Sequence, residues 1–303
     1  MCGIVGLYSK SPAIAAQLGR HLALMLVQMG DRGPDSAGVA VYRDAVGDGT
    51  SKLSLHAPHG PVVWDEVLAR LQGTLDVQDH RIVGPQHALV MVGADALTAQ
   101  ERIADAVPFL TIASAGSSIE IYKDAIRPAE FVDRFGLDAI SGTHALGHTR
   151  MATESRVTTA GSHPFSTGMD VCLVHNGSLS NHNRLREQLQ EEGIPFQTEN
   201  DTEVAAGYLG WRLRDGATLE EALEGCLEDL DGFYTFAVGT RDGFAVLRDP
   251  IACKPAVMAE TDDWVAMASE YRALDVLPGA EHASVWEPEP ATVYSWGTAG
   301  VPA

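Results

Sequence analysis

Cysteine is scarce in this chain, and so are positive charge and long apolar runs. The four cysteines, Cys2, Cys172, Cys226 and Cys253, stand far apart and show no paired spacing. That argues against a disulfide framework and against a zinc or iron–sulfur site built by this chain. Lysine and arginine number 21 against 41 aspartates and glutamates, a formal charge of −20. So acidic a surface repels phosphate backbones and anionic membranes, which disfavours nucleic acid and lipid as partners. No apolar run approaches the roughly 20 residues that cross a bilayer. The start shows no basic leader followed by an apolar core, so no signal peptide is expected and the protein reads as cytoplasmic. What is present, 303 residues of which 45% are hydrophobic, suffices for one large domain or two modest ones.

The pattern along the chain predicts an α+β protein. A short strand over 2–8 opens it. A helix then starts at Ser11-Pro12, with an apolar stripe of Ile14, Leu18, Leu22, Met25 and Met29, and Gly30 closes it. A turn-rich loop over 31–36 leads to a strand at 39–42. Between 51 and 114 the order is strand (52–56), helix (62–75), two strands (80–83, 87–92), helix and strand (109–113). The second helix is read as opening on a capping box from Thr98 to Glu101. This β-α-β-β-α-β order is that of a ferredoxin-like module. It is predicted as an insertion, 51–114, within a domain spanning 2–303, packing on the parent or on another chain. His56 and His59 are placed in a solvated loop. Beyond Gly142 come strands at 144–149 and 171–175 and helices at 183–192, 203–214 and 219–230, the last with a box from Thr218 to Glu221. Hairpins follow through Asp242-Gly243 and Asp262-Asp263. Two sheets with helices outside them fit this order better than a parallel sheet with crossovers.

Several short segments carry candidate chemistry. Cys2 follows an initiator Met whose removal would free an α-amine titrating near 8, close to a thiol near 8.5, so the amine can serve as the thiol's base. By position alone, a buried structural cysteine is the simpler reading. Asp31-Arg32-Gly33-Pro34-Asp35-Ser36 is either a tight turn or a loop that covers a ligand. Arg150, in Gly147-His148-Thr149-Arg150-Met151-Ala152-Thr153, ends a buried strand and calls for a carboxylate, internal or from a substrate. His175-Asn176-Gly177 is a turn pair, or an amide and an N–H aimed at one oxyanion. Asp201 is a helix N-cap, or a carboxylate for a substrate ammonium.

Together and in this order, these segments resemble the class II glutamine amidotransferases, a branch of the N-terminal-nucleophile hydrolases. The resemblance lies at Cys2-Gly3-Ile4-Val5-Gly6, Arg32-Gly33-Pro34-Asp35-Ser36-Ala37-Gly38, Gly147-His148-Thr149-Arg150, His163-Pro164, His175-Asn176-Gly177, Asn181-His182 and Asp201-Thr202-Glu203. Looser matches are Arg248-Asp249-Pro250, Lys254-Pro255 and Ala268-Ser269-Glu270. Met151 departs from the aromatic residue or histidine that relatives often carry beside the arginine. The resemblance implies a four-layer αββα sandwich. It also implies that Cys2 attacks the amide of L-glutamine, with Asn176 and Gly177 as oxyanion donors. Arg150 and Asp201 would hold the substrate head group, and Arg32 and Thr153 would complete its pocket. The sequence ends soon after Ser269-Glu270, with no room for an appended synthase domain. The expected user of the ammonia is therefore a separate glutamate synthase-like subunit, of the N-methylglutamate synthase kind. FMN and iron–sulfur centres are expected in that partner and no cofactor in this chain. The rival readings are a stand-alone amide hydrolase of the same fold and a non-catalytic glutamine-sensing subunit.

Overall fold

The structure, a computed structural model, describes residues 2–151 and 157–297. The chain opens with β1 (Gly3–Ser9), α1 (Pro12–Ala16), α2 (Leu18–Gln28) and β2 (Ser36–Tyr42). There follow β3 (Ser51–His56), α3 (Trp64–Gln72), β4 (Val77–Ile82), β5 (His87–Val92), α4 (Ala96–Ala106) and β6 (Thr111–Gly116). The chain continues through β7 (Ile119–Asp124), α5 (Pro128–Phe135), β8 (His144–Arg150), β9 (Phe165–Gly168) and β10 (Val171–Leu179). Helices α6 (His182–Glu191), α7 (Asp201–Arg214) and α8 (Leu219–Asp229) precede β11 (Gly232–Thr240) and β12 (Gly243–Arg248). The last strands are β13 (Val257–Glu260), β14 (Trp264–Ala268), β15 (Ser284–Trp286) and β16 (Val293–Gly297).

Two antiparallel sheets carry the main body: seven strands in the order β15-β13-β14-β1-β8-β2-β7, and five in the order β16-β12-β11-β10-β9. Alternation along each strand sorts the side chains between the two faces. On the first sheet, Val5, Leu7, Val39 and Val41 pack against helices α2 and α5, while Ile4, Ala40 and Leu146 turn the other way. On the second, Leu173, Phe236 and Val238 meet helices α7 and α8, while Cys172, Val174 and Ala237 turn inward. The two inward faces share one apolar cluster, so the sheets lie face to face with helices outside each.

Residues 51–116 form a third sheet, with strand order β4-β5-β3-β6. One face carries Leu53, Leu55, Val90 and Val92 against α3 and α4. The other is polar and lies on β7, the outermost strand of the seven. Ser54 Oγ accepts from Ile121 N at 3.0 Å, and His87 Nε2 donates to the Lys123 carbonyl at 3.0 Å. Lys52 Nζ reaches the buried Glu120 at 3.3 Å, which also takes Arg81 at 2.8 Å and the Tyr122 hydroxyl at 2.6 Å. Backbone groups on this edge strand thus find partners in side chains rather than in water.

Strands β7, β9, β15 and β16 and helix α5 had no counterpart in the sequence reading, and three of its readings differ from the structure. The expected single helix from Ser11 to Met29 is broken at Gln17. In a continuous helix Gly19 N would bond Ala15 O. Instead Gly19 N donates to Ile140 O at 2.8 Å, and Ala15 O accepts from Gly142 N at 3.0 Å. The 137–142 segment is wedged in there, against a glycine whose added Cβ would lie 2.1 Å from Leu137 O. The second departure is at α4, which starts earlier than Thr98. Asp95 is its cap, with Oδ1 accepting from Thr98 N at 3.0 Å. Third, His56 is buried and stacked on His87 at 4.7 Å, not in a solvated loop, whereas His59 is exposed. The capping box at α8 forms as read, Thr218 Oγ1 accepting from Glu221 N and the Glu221 carboxylate accepting from Thr218 N.

Candidate active site

Cys2 stands immediately before β1, which lies between β14 and β8. The register pairs Gly3 with Thr149 and Ser36 with Arg150, so the start of β1, the end of β8 and the start of β2 meet at one end of the sheet. Glycine is required at position 3 because an added Cβ would sit 2.8 Å from both Met29 Cβ and Thr149 Oγ1. Ile4 is clamped on both sides, its N–H donating to Ser269 Oγ and its carbonyl accepting from Ser269 N, both at 2.9 Å. Arg32 Nε donates to the Cys2 carbonyl at 3.1 Å while its Nη1 bonds Glu270 at 2.6 Å. That bond, first, and then the Arg272 charge hold the Glu270 carboxyl below its ordinary range.

A cavity of about 460 Å³ opens beside Cys2. Arg150, His175, Gly177, Asp201 and Thr202 are among its walls. Arg150 is half-buried, and its Nη1 donates to Gly161 O at 3.0 Å. Asp201 does not cap α7. Asn200 does, its Oδ1 accepting from Thr202 N at 2.8 Å, which leaves the Asp201 carboxylate on the first turn, where Oδ2 accepts from Leu179 N at 2.9 Å. The Asn176 side chain donates to the Cys2 carbonyl at 3.4 Å, a long bond. Gly177 has φ of 153°, and an added Cβ would lie 2.0 Å from Phe233 O. The structure therefore brings Cys2, Asn176, Gly177, Arg150 and Asp201 together. Arg32 bonds the backbone of Cys2 and the Glu270 carboxylate and is not among the residues lining this cavity. Thr153 lies outside the described residues.

Burial also sorts the cysteines. Cys172 is fully enclosed and its thiol is pushed up to about 12; burial raises Cys226 still further. Neither yields a thiolate near neutrality. Cys253 is exposed and does not line the cavity. Among the described residues there is no cluster of three or more His, Cys, Asp or Glu able to hold a metal, and no helix long and apolar enough to cross a membrane.

Two buried groups at the cavity carried no role in the sequence reading. His148, His163 and His175 are buried; Thr202 bridges His163 and His175, and His148 meets the His163 ring and the His175 carbonyl. Burial lowers all three, His148 to about 3 and His175 to about 4, so they are neutral at pH 7. Lys123, on β7, sends its buried ammonium to the carbonyls of Ala160, Ser162 and Pro164 at 3.2, 2.9 and 3.3 Å. Burial pulls its pKa down to about 8. These carbonyls belong to the segment that bears Gly161 and His163. No local pattern marks Lys123, because its partners lie some 40 residues on; its spacing to Ser162 is 39.

The comparisons with known proteins point the same way. A family model of the glutamine amidotransferase domain matches residues 148–276. The chain is 53% identical to the glutamine amidotransferase-like protein GlxB of Rhizobium meliloti over 98% of each chain. The chain belongs to the class II glutamine amidotransferases. A putative glutamine amidotransferase of Methanothermobacter thermautotrophicus is 31% identical over 97% of this chain and 99% of that one. Both matches are long enough to run through residues 43–143, the part of this amidotransferase that the motifs left unmatched. Glutamine phosphoribosylpyrophosphate amidotransferase from B. subtilis shares the fold, with a TM-score of 0.62 and 21% identity over 99% of this chain and 48% of that one.

Proposed function

We propose that this amidotransferase hydrolyses L-glutamine to glutamate and ammonia through a Cys2 thioester. We further propose that it supplies the ammonia to a separate glutamate synthase-like subunit, of the N-methylglutamate synthase kind. The meeting of Cys2, Gly177, Arg150 and Asp201 on one cavity, with the Asn176 side chain bonded to the Cys2 carbonyl beside it, is the observation that supports this reading. With Met1 removed, the Cys2 α-amine takes the thiol proton and the sulfur attacks the amide carbon. The oxyanion replaces the Cys2 carbonyl as the partner of the Asn176 amide, with the Gly177 N–H as second donor; losing one such donor costs about 100–1,000-fold. The amine returns its proton to the leaving ammonia, and water then cleaves the thioester. Arg150 and Asp201 hold the substrate α-carboxylate and α-ammonium, and Thr153 completes the rim. Arg32, through Cys2 O and Glu270, positions the nucleophile. The facing sheets are read as the four-layer αββα sandwich of the N-terminal-nucleophile hydrolases, with 51–114 as an insertion in it. FMN and iron–sulfur chemistry would belong to the partner.

An electrophilic glutamine analogue tests the nucleophile. Mass spectrometry is expected to find Met1 absent and the label on Cys2; label on Cys253 instead overturns the assignment. Ammonia release is then assayed with and without a candidate flavoprotein subunit. Stimulation by that subunit is expected, and equal rates together with no co-purification overturn the partnership.

A further inference from the structure

We propose that the buried chain His148–His163–Thr202–His175 positions the Asn176–Gly177 donors, with Thr202 as the link on which it depends. The proposal rests on the reading of those two residues as oxyanion donors. A carbonyl can only accept, so the 3.0 Å contact between His148 Nε2 and His175 O puts a proton on His148 Nε2. His163 Nδ1 lies 3.0 and 2.9 Å from the two nitrogens of His148, with the rings at 82° and their centroids 3.9 Å apart. Near-equal distances and perpendicular planes place that nitrogen over the ring face, where an N–H is favoured and a lone pair is not. His163 Nε2 is then bare, and Thr202 Oγ1 donates to it at 2.7 Å rather than to Asp201 Oδ1, the longer contact at 3.4 Å.

The Thr202 hydroxyl has a single proton, so towards His175 Nδ1, 3.0 Å away, it accepts. The proton of His175 therefore sits on Nδ1 and its Nε2 is bare. This last atom is buried and has no hydrogen-bond partner among the described residues. It lies under Gly177, where an added Cβ would be 2.7 Å away. A proton there would be a buried donor without an acceptor, which is costly. The chain thus selects the tautomer that sets a bare nitrogen rather than an N–H against Gly177. At its other end, His148 grips the carbonyl that begins the His175–Asn176 peptide. The peptide carrying the donors is held from both sides by one network of neutral groups. The low basicity of the three imidazoles keeps that network intact at neutral pH.

Thr202→Val, compared with Thr202→Ser, tests this. Valine keeps the shape and removes the hydroxyl, whereas serine keeps the link. For valine, kcat is expected to fall about 10–100-fold with KM for glutamine within about threefold. Serine is expected to retain kcat within about threefold of the unmodified protein. Alkylation of Cys2 by iodoacetamide, which builds no oxyanion, is expected to proceed at the same rate in all three. Thr202→Ala carries the same expectation as valine if the latter does not fold. A hydroxyl-free variant with unchanged kcat, a loss confined to KM, or a loss that serine does not rescue overturns the proposal. Unmodified protein without glutaminase activity overturns the reading of the site itself, and this proposal with it.

Discussion

In the third sheet, the buried polar groups Lys52, Ser54, His56, His87 and Ser114 lie on or beside the seam with β7. In the main body, His148, His163, His175, Asn176 and Thr202 gather instead at the Cys2 end of the facing sheets. At the seam, donors meet acceptors over short paths, and Glu120 is surrounded by cations. At the cavity, the Asn176 amide rests on a 3.4 Å bond and His175 Nε2 on none. A closed polar network fixes one piece of chain onto another. A network that ends in a weak bond keeps a donor ready for a different partner. Each of the five polar groups at the seam has a hydrogen-bond partner there, which is why its histidines and lysine read as attachment.

The largest effect should come from acid. Unfolded histidines bind protons near pH 6.5, while burial keeps folded His148 near 3 and His144 and His175 near 4. The unfolded state therefore binds more protons across that window, and stability falls as pH drops from about 6.5 towards 4. Each such histidine contributes a loss of up to about 2 kcal/mol between pH 6.5 and 5. Urea unfolding at pH 7 and pH 5 should differ by several kcal/mol; a difference under about 1 kcal/mol would show that these imidazoles are not held neutral.

Next in size, Asn176→Ala should lower kcat by about 100–1,000-fold and leave KM nearly unchanged, because an oxyanion forms only in the transition state. Steady-state glutaminase kinetics decide it, and an unaltered kcat would remove the distinction between the cavity network and the seam. The smallest effect is expected at the seam. Glu120→Gln leaves the buried Lys52 ammonium without its countercharge and should cost about 2 kcal/mol of unfolding free energy. Activity per folded molecule should not change. A drop in kcat at equal folded fraction would mean that the seam reaches the chemistry.

Much of the site was legible because its residues sit in short motifs whose chemistry is local. Cys2 is fixed by the terminus, Asn176-Gly177 by adjacency and Arg150 by the end of a strand. What escaped was assembled by topology. Lys123 meets carbonyls some 40 residues away, and the histidine chain joins β8, the 160–164 segment, β10 and α7. The Arg32 contact with Cys2 O spans 30 residues and one with Glu270 spans 238, so no window of sequence relates them. Among the elements, strand alternation and the hairpin turns Asp242-Gly243 and Asp262-Asp263 gave the β11–β12 and β13–β14 pairs. The break at Gln17 was invisible because the apolar stripe continues through it. A distant segment, 137–142, takes over the Gly19 and Ala15 backbone groups and ends the first turn of helix early.

The covering of β7 has a consequence for shortened forms of this chain. With residues 51–114 replaced by a linker, Ile121 N–H and Lys123 C=O would lose Ser54 and His87 and face solvent along an uncovered edge strand. Such an edge is a template for a second copy of itself, and the shortened protein should assemble edge to edge into oligomers that grow with concentration. Its loss of solubility would then say nothing about whether the removed residues recognise a partner. A charged residue at Ile121, whose cost in the intact protein is burial, would in the shortened one act as a guard against that growth.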